Sequence, residues 1–198
     1  LGIAPFIMQA TESFISIVMN SGLQHYGGDM YVGTLTIMQS VMQFVSIPVG
    51  GFTQGVQPIM SYNFGAGNTE RVKKTYFTML GIVMTYTILL TISIMAVPGV
   101  FAKMFTDSSE LILLVEKIMP VFVCGMLVFG VQMSSQTTFL ALGQAKISLF
   151  IALLRKVILL IPLAVILPKL TGDVMFIYYA EPISDVTSAL TCGILFAC

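Results

Sequence analysis

The chain has 198 residues, of which 57% are hydrophobic and only 9% charged, and its mean hydropathy is +0.95. Soluble domains carry about 25% charged residues, so this chain has too few charges to solvate a globular surface. The composition argues against a soluble enzyme, a nucleic-acid-binding protein and a disordered chain. Nine basic and nine acidic residues cancel, so nothing suggests a polyanionic partner. A polytopic membrane protein remains.

The length suits about six membrane-spanning helices, because one crossing needs about 20 apolar residues. Windows with few or no charged residues place these helices in one transmembrane lobe that covers residues 1–198. We expect an all-α fold, a six-transmembrane-helix bundle with helices at about 1–24, 31–64, 70–102, 111–142, 146–167 and 175–198. No ten-residue segments of alternating hydrophobicity are present, so a barrel is not expected.

The first predicted helix has one charged residue, Glu12, about midway along it. Met8, Glu12, Ser16, Met19 and Asn20 follow one another at spacings that place them on one face. A carboxyl group at this depth is protonated, paired or facing water. The functional interpretation is a site that binds a proton or a cation. The structural alternative is a neutral Glu12 that bonds to a neighbouring helix.

The second predicted helix has a stripe of polar and small side chains about five turns long. Its length favours a wall that faces water, although such a stripe also holds helices together. Pro48 interrupts the backbone hydrogen bonds, and we expect one elongated helix over residues 30–63 that bends there. The stripe consists of Gln39, Gln43, Ser46, Gly50, Gln54 and Gln57, with Met42 beside it.

The last three predicted helices also contain polar residues. Gln132 and Gln136 share a face of the fourth helix. Arg155 and Lys156 lie in the fifth helix, where we expect their side chains to snorkel to lipid head groups. Glu181 and Asp185, one turn apart in the sixth helix, are expected near the outer interface in contact with water.

No motif for catalysis is present, so the chain is not expected to be an enzyme. It lacks a Walker A sequence, a nucleophile elbow and a His-Glu-x-x-His motif. The three cysteines have no metal-site spacing, and we expect neither a metal site nor a cofactor. Several of the 14 methionines lie on or beside the polar stripes. Methionine suits surfaces that accept varied ligands, although most of these residues are expected to be ordinary core or lipid-facing residues.

Basic residues predict the orientation of the bundle. One side has Arg71, Lys73, Lys74 and Lys146, and the other side has only Lys103, Lys117 and Lys169. The positive-inside rule makes the first side cytoplasmic. With six crossings, both ends of the chain then lie in the cytoplasm, and the expected location is the plasma (cytoplasmic) membrane. The first residue is Leu1 and the last residues are apolar, so we expect a piece of a longer protein.

Residues 55–68 read GVQPIMSYNFGAGN, and this segment resembles a helix junction of the multidrug and toxic compound extrusion (MATE) transporters. The QPIxSYN form is similar to the MepA-like bacterial branch of that family. Three further segments resemble later parts of the family sequence, and together the resemblance covers essentially the whole chain. These segments are 138–146 (TFLALGQAK), 154–168 and 180–185.

The resemblance implies that the chain is the C-terminal six-helix half of a twelve-helix transporter. Such transporters enclose a central cavity between two halves, and they expel amphiphilic, often cationic compounds in exchange for protons or sodium. The expected partners are therefore small amphiphilic substrates, the lipid bilayer and the N-terminal half of the same transporter, and not a nucleic acid.

The resemblance also implies roles for individual residues. Glu12 matches an acidic residue on the family's seventh helix and is the candidate for coupling to protons or cations. Gln39 matches an amide that lines the cavity. Residues 128–132 lack the acid of many sodium-coupled members, which favours protons or coupling in the other half. The candidate cavity residues are Met8, Ser16, Met19, Gln39, Met42, Gln43, Gln132 and Gln136.

Two other functions compete with a multidrug antiporter. A lipid-linked glycan flippase of the same superfamily would need a more cationic cavity, and only Arg155 and Lys156 supply such charge. A non-transporting subunit of a membrane complex is the third hypothesis. The polar stripe and Glu12 argue against it.

Overall fold

The computed structural model describes residues 3–197, and within them the chain forms helices and turns with no β-strand. The all-helical prediction is confirmed. A π-helical segment, Leu154–Leu160, joins two of the helices. The helices are α1 Ile3–Gly27, α2 Asp29–Gly65, α3 Thr69–Ala96, α4 Pro98–Lys103, α5 Ser109–Val123, α6 Met126–Ala141, α7 Ala145–Leu153, α8 Ile161–Thr171 and α9 Phe176–Ala197.

Two of the helices that the sequence predicted as single units are interrupted. The predicted helix at 70–102 is divided between α3 and α4 at Val97, whose φ of −136° is not helical. Val97 precedes Pro98, and a residue before proline is disfavoured in the α-helical region. The predicted helix at 111–142 is divided between α5 and α6, which meet at an angle of 46°.

The length and hydropathy of the helices suit a membrane. In the described part of the chain, three segments are long and apolar enough to cross one, namely α2, α3 and the continuous unit of α7, the π-helical segment and α8. The bent pair of α5 and α6 is a fourth candidate if its two helices act as one span. The terminal helices α1 and α9 have 25 and 22 residues but do not reach the same hydropathy. They carry Glu12, Glu181 and Asp185.

The centre of the bundle is α6, which packs against α2, α3, α7 and α9. Its polar side chains are buried because neighbouring helices surround them, and several bond across to those helices. Ser135 Oγ lies 3.3 Å from the hydroxyl of Tyr76 on α3. Ser61 Oγ on α2 donates to the carbonyl of Ala141 at 3.0 Å. These bonds stabilise the helix that forms one wall of the cavity described below.

The bend between α5 and α6 allows α9 to approach closely. A Cβ atom added at Gly125 would lie 2.9 Å from the Cα atom of Pro182 and 2.8 Å from Asp185 Oδ2. Real Cβ atoms essentially never approach other heavy atoms so closely. The contact with Pro182 involves backbone, which cannot move aside as a flexible side chain does. Gly125 is therefore required by the packing of α9.

We predict that Gly125→Ala destabilises the protein by about 1–3 kcal/mol, the usual range for overpacking a close-packed interior. The matched control is Gly81→Ala in α3, where a Cβ atom meets no other atom within 4 Å. That change should be neutral or slightly stabilising, because alanine is the better helix former. Thermal unfolding of both variants in one detergent measures the difference. Equal melting temperatures for the two variants would contradict this packing explanation.

Candidate functional site

A cavity of about 550 Å³ lies inside the bundle, between α1, α2, α5, α6, the unit that contains the π-helical segment, and α9. Two of its walls are rich in amides and hydroxyl groups, and a third is rich in aromatic and methionine side chains. Among the described residues, four side chains with formal charge line it, namely Glu12, Arg155, Lys156 and Glu181. A cavity of this size falls within the usual range for small-molecule sites, about 300–1,000 Å³.

Most of the candidate residues from the sequence surround this cavity. Met19 does not, because its side chain is only 1% exposed and packs in the hydrophobic core. Met8 belongs to α1, but its side chain lies outside the part of the structure that is described. The candidates that line the cavity are Glu12, Ser16, Gln39, Met42, Gln43, Gln132 and Gln136.

The apolar wall comes from α5 and α6 and was not singled out in the sequence. Phe122, Met126, Phe129 and Met133 line the cavity. Their spacings of four, three and four residues place them on one continuous face across the bend. This spacing is visible in the sequence. It could not identify the wall, because an apolar face that lines a cavity has the same pattern as one that fills a core.

Glu12 forms an ion pair with Lys156. The Lys156 Nζ atom lies 2.6 Å from each carboxylate oxygen of Glu12. The Glu12 side chain is 50% exposed, whereas that of Lys156 is 15% exposed. Of the three environments considered for this carboxyl group, the structure therefore shows a paired one at the edge of the cavity.

Arg155 is buried between two carboxylates of α9. Its Nε atom lies 2.5 Å from Asp185 Oδ1, and its Nη2 atom lies 3.3 Å from Glu181 Oε1. The guanidinium carbon also lies 5.9 Å from the centre of the Phe129 ring, within cation–π range. All three charged side chains are at most 10% exposed.

This ion-pair cluster corrects two expectations. The prediction that Arg155 and Lys156 snorkel to head groups is wrong, because both side chains turn inward to carboxylates. The expectation that Glu181 and Asp185 face water at the interface is also wrong, since they are only 8% and 1% exposed. Their spacing of four residues places both on one face of α9, opposite the guanidinium. Pairing removes the cost of leaving either charge alone in an apolar interior.

The π-helical segment positions both cations. It precedes Pro162, which has no backbone N–H and whose ring conflicts with the carbonyl of residue 158 in a regular α-helix. A wider helical turn avoids that conflict, and π-helical turns often occur at functional sites. Arg155 and Lys156 both belong to these wider turns and reach different partners, on α9 and α1 respectively.

The charges in and beside the cavity do not cancel. Glu12, Glu181 and Asp185 face Arg155 and Lys156, so the cluster has one negative charge in excess when every group is ionised. Binding one proton or one monovalent cation would neutralise it. A further polar group lies at the same cavity, because Gln132 Oε1 is buried without a hydrogen-bond partner in the described structure. The site is therefore suited to a cation that also donates a hydrogen bond.

Long apolar helices packed around a polar, charged cavity define an all-helical membrane protein with an internal cavity. A comparison with protein families identifies it further, since residues 5–166 match the MatE family model. The chain belongs to the MatE family, and the resemblance noted in the sequence is confirmed.

Two similar proteins are named as multidrug export proteins. The chain is 25% identical over 195 residues to the multidrug export protein MepA of Staphylococcus aureus (strain MSSA476), a match that covers 96% of this chain and 42% of the relative. It is 22% identical over 172 residues to MepA of Staphylococcus haemolyticus (strain JCSC1435), covering 87% and 37% respectively. The chain thus spans less than half the length of the curated relatives that it matches.

Solved structures show the same fold. The MATE multidrug transporter DinF-BH, solved with a bound ligand, is 31% identical, with a TM-score of 0.86 over 100% of this chain and 44% of that one. An outward-facing MATE family transporter matches at 17% identity and TM-score 0.90, and an inward-facing one at 16% and 0.89. Each of these two matches covers 98% of this chain, and 44% and 45% of the other chain. The helix arrangement is therefore that of the MATE fold.

We predict that Arg155→Met destabilises the protein by about 3–5 kcal/mol, because it leaves two buried carboxylates without their partner. Lys156→Met is the matched control, since it removes the neighbouring cation from a carboxylate that is half exposed. Partly exposed ion pairs are worth up to about 1 kcal/mol, so the control should lose little stability. Thermal unfolding in detergent compares them. A loss for Arg155→Met no larger than that for Lys156→Met would show that the buried cluster does not stabilise the bundle.

Proposed function

We propose that this chain is the C-terminal half of a secondary antiporter that exports amphiphilic, often cationic compounds in exchange for protons. The observation that carries the proposal is the cavity itself, which combines an apolar wall with a carboxylate cluster that has one negative charge in excess. An amphiphilic cation matches both features. Family membership and the names of the relatives support the same function.

The apolar wall would bind the body of such a substrate. Phe122 and Phe129 offer ring faces to flat or cationic groups, and Met126 and Met133 adapt to different shapes. The opposite wall offers amides, which donate and accept hydrogen bonds. The Oε1 atom of Gln132 would accept a hydrogen bond from the substrate, which satisfies a buried acceptor. This division of the cavity suits binding of many related compounds.

Coupling would arise from competition for Glu12. Its carboxylate contacts the ammonium group of Lys156 in the present structure, so a cationic substrate or a proton must replace that ammonium group. A carboxylate that binds one of these partners binds the others more weakly, and such competition is reciprocal. Lys156 would act as an internal counter-ion that returns when the substrate leaves. The carboxylate is then never an isolated anion, which would be disfavoured at membrane depth.

The partner and location are part of the same proposal. The relatives are more than twice as long as the matched region, which is consistent with an N-terminal half that completes the central cavity. Residues 128–132 contain no acid, and this favours protons over sodium for coupling in this half. The distribution of basic residues favours both ends of this half in the cytoplasm. The plasma membrane is the location that export of compounds from the cell would require.

A lipid-linked glycan flippase is less well supported. The pyrophosphate group of the substrate of such a flippase would need unpaired cations in the cavity. Arg155 and Lys156 are both neutralised by carboxylates, and the excess charge of the cluster is negative. The cavity would therefore repel a polyanionic head group.

We predict that Glu12→Gln in the full-length protein abolishes active export of a cationic dye while expression and melting temperature stay normal. The amide keeps the shape of the side chain but cannot exchange a proton. Dye binding to the purified variant should no longer respond to protons, because the group for which proton and dye compete is absent. Export against a gradient with a normal pH profile would show that Glu12 is structural and that coupling lies elsewhere.

Lys156→Gln tests the competition separately. It should bind the cationic dye about 2- to 5-fold more tightly, because a partly exposed ion pair is worth up to about 1 kcal/mol. The gain in dye affinity should disappear in the Glu12→Gln/Lys156→Gln double variant, because position 12 then has no carboxylate to bind the dye. An equal gain in both backgrounds would contradict the role of Lys156 as a counter-ion of Glu12.

We predict that Gln39→Ala and Gln43→Ala alter which compounds are exported while expression holds. Both amides line the cavity one turn apart, and a lost hydrogen bond costs about 0.5–1.5 kcal/mol, or about 2- to 12-fold in affinity. Gln54→Ala is the matched control, because Gln54 continues the same stripe but is exposed and does not line the cavity. Resistance profiles against a panel of compounds measure the effect. If all three variants give the wild-type profile, the stripe serves only packing.

A further inference from the structure

A second cavity lies outside the transport site, in the groove between α2 and α3 near the turn that joins them. It has a volume of about 490 Å³, and we call it the hairpin groove. Its walls contain both apolar and basic side chains. The proposed antiport does not use this groove, because none of the residues that line it also lines the 550 Å³ cavity that contains Glu12.

The end of the groove near the turn is basic. Arg71 and Lys74 line it, one turn apart at the start of α3, and both are exposed. Neither forms an ion pair within residues 3–197 of the structure. Both cations are therefore available to an anionic group at the mouth of the groove.

The groove becomes apolar along its length. Thr75 and Thr78 follow the basic residues on α3, and Met79 closes that wall one turn deeper. Val56 and Phe52 provide the facing wall on α2. From Arg71 to Met79 the helix rises about 12 Å, at 1.5 Å per residue. Charged, hydroxyl-bearing and apolar side chains thus succeed one another over a distance comparable with the head-group region and upper acyl chain of a phospholipid.

The position of the groove in a membrane agrees with this order. Both α2 and α3 are long and apolar enough to span a bilayer, so the turn between them lies at one membrane surface. Phe52 and Ile59 are 39% and 53% exposed, so the apolar part of the groove is open to its surroundings. Basic pockets between membrane helices at head-group level bind acidic lipids.

We propose that the hairpin groove binds an anionic phospholipid. The phosphate lies between Arg71 and Lys74, the glycerol region meets Thr75 and Thr78, and an acyl chain lies along the apolar walls. A free phosphate ion would use only the basic end, whereas a neutral lipid would use only the apolar end. The combination is specific to an amphiphile with a negative head. Such a lipid would fasten the turn between α2 and α3 to the membrane surface.

The test is native mass spectrometry of the full-length protein, titrated with phosphatidylglycerol or phosphatidylcholine in detergent. The double variant Arg71→Gln/Lys74→Gln should lose about 25-fold in phosphatidylglycerol affinity, because each basic residue near an anionic lipid contributes about 5-fold. Both positions are exposed, so the fold should not depend on them. The matched control is Lys73→Gln/Lys146→Gln, which removes the same charge from exposed positions outside the groove. The affinity of this control for phosphatidylglycerol should fall by less than about 3-fold, because neither position lines the groove and screened surface charges contribute weakly.

Two further measurements distinguish binding of a lipid from binding of other ligands in the groove. Val56→Trp fills the apolar wall and should weaken phosphatidylglycerol binding, whereas excess glycerol phosphate should not displace the lipid. The proposal is overturned if the groove variant keeps the wild-type preference for phosphatidylglycerol over phosphatidylcholine, or if the control pair loses as much. It is also overturned if glycerol phosphate competes as well as the lipid does, because the acyl chain would then contribute nothing. None of these outcomes depends on whether Glu12 couples transport.

Discussion

The buried guanidinium of Arg155 is the constraint on which the site depends. A cation in this interior is stable only while Glu181 and Asp185 face it, so the pairing fixes the face that α9 presents to the bundle. Asp185 in turn reaches this position because Gly125 leaves no side chain in its way. Lys156 follows Arg155 in the chain, and the same pairing determines that its ammonium group points to α1 and meets Glu12. One buried interaction thus organises three helices around the cavity.

The two ion-pair systems differ in accessibility, and this difference separates stability from binding. The Arg155 cluster is at most 10% exposed, whereas the Glu12 side chain is half exposed beside the cavity. A tight, dehydrated pair is costly to break and suits a structural role. A partly hydrated pair is weak and exchanges partners readily, which the proposed competition for Glu12 requires. The excess negative charge of the whole cluster then affects whichever cation or proton approaches Glu12.

Much of this arrangement could be predicted from the sequence, because it follows from local spacing. Helical periodicity predicted that Glu12, Gln39 and Gln43 lie on polar helix faces, and all three line the cavity. Hydropathy predicted an all-helical membrane protein. The ion-pair cluster could not be predicted in this way, since Arg155 and Glu181 are 26 residues apart and meet only through tertiary packing. The sequence-based interpretation considered each charged residue separately. A single cation near the end of a membrane helix usually extends its side chain to the head groups. Met19 was misplaced for a similar reason, because a helical face is wider than the part of it that lines a cavity.

The pairing of Arg155 with α9 also has a consequence for biosynthesis. Residues 181 and 185 follow residue 155 in the chain, so during synthesis the segment Ala145–Thr171 reaches the membrane before its carboxylate partners do. An arginine or lysine at the centre of an inserting helix costs about 2.5–3.5 kcal/mol, and this segment has two such residues side by side. It is also the most hydrophobic of the three candidate spans, with a mean hydropathy of 2.5 against 2.0 for α3 and 1.3 for α2. Most of its leucine and isoleucine side chains lie away from the cavity, and their hydropathy offsets the cost of inserting the two cations.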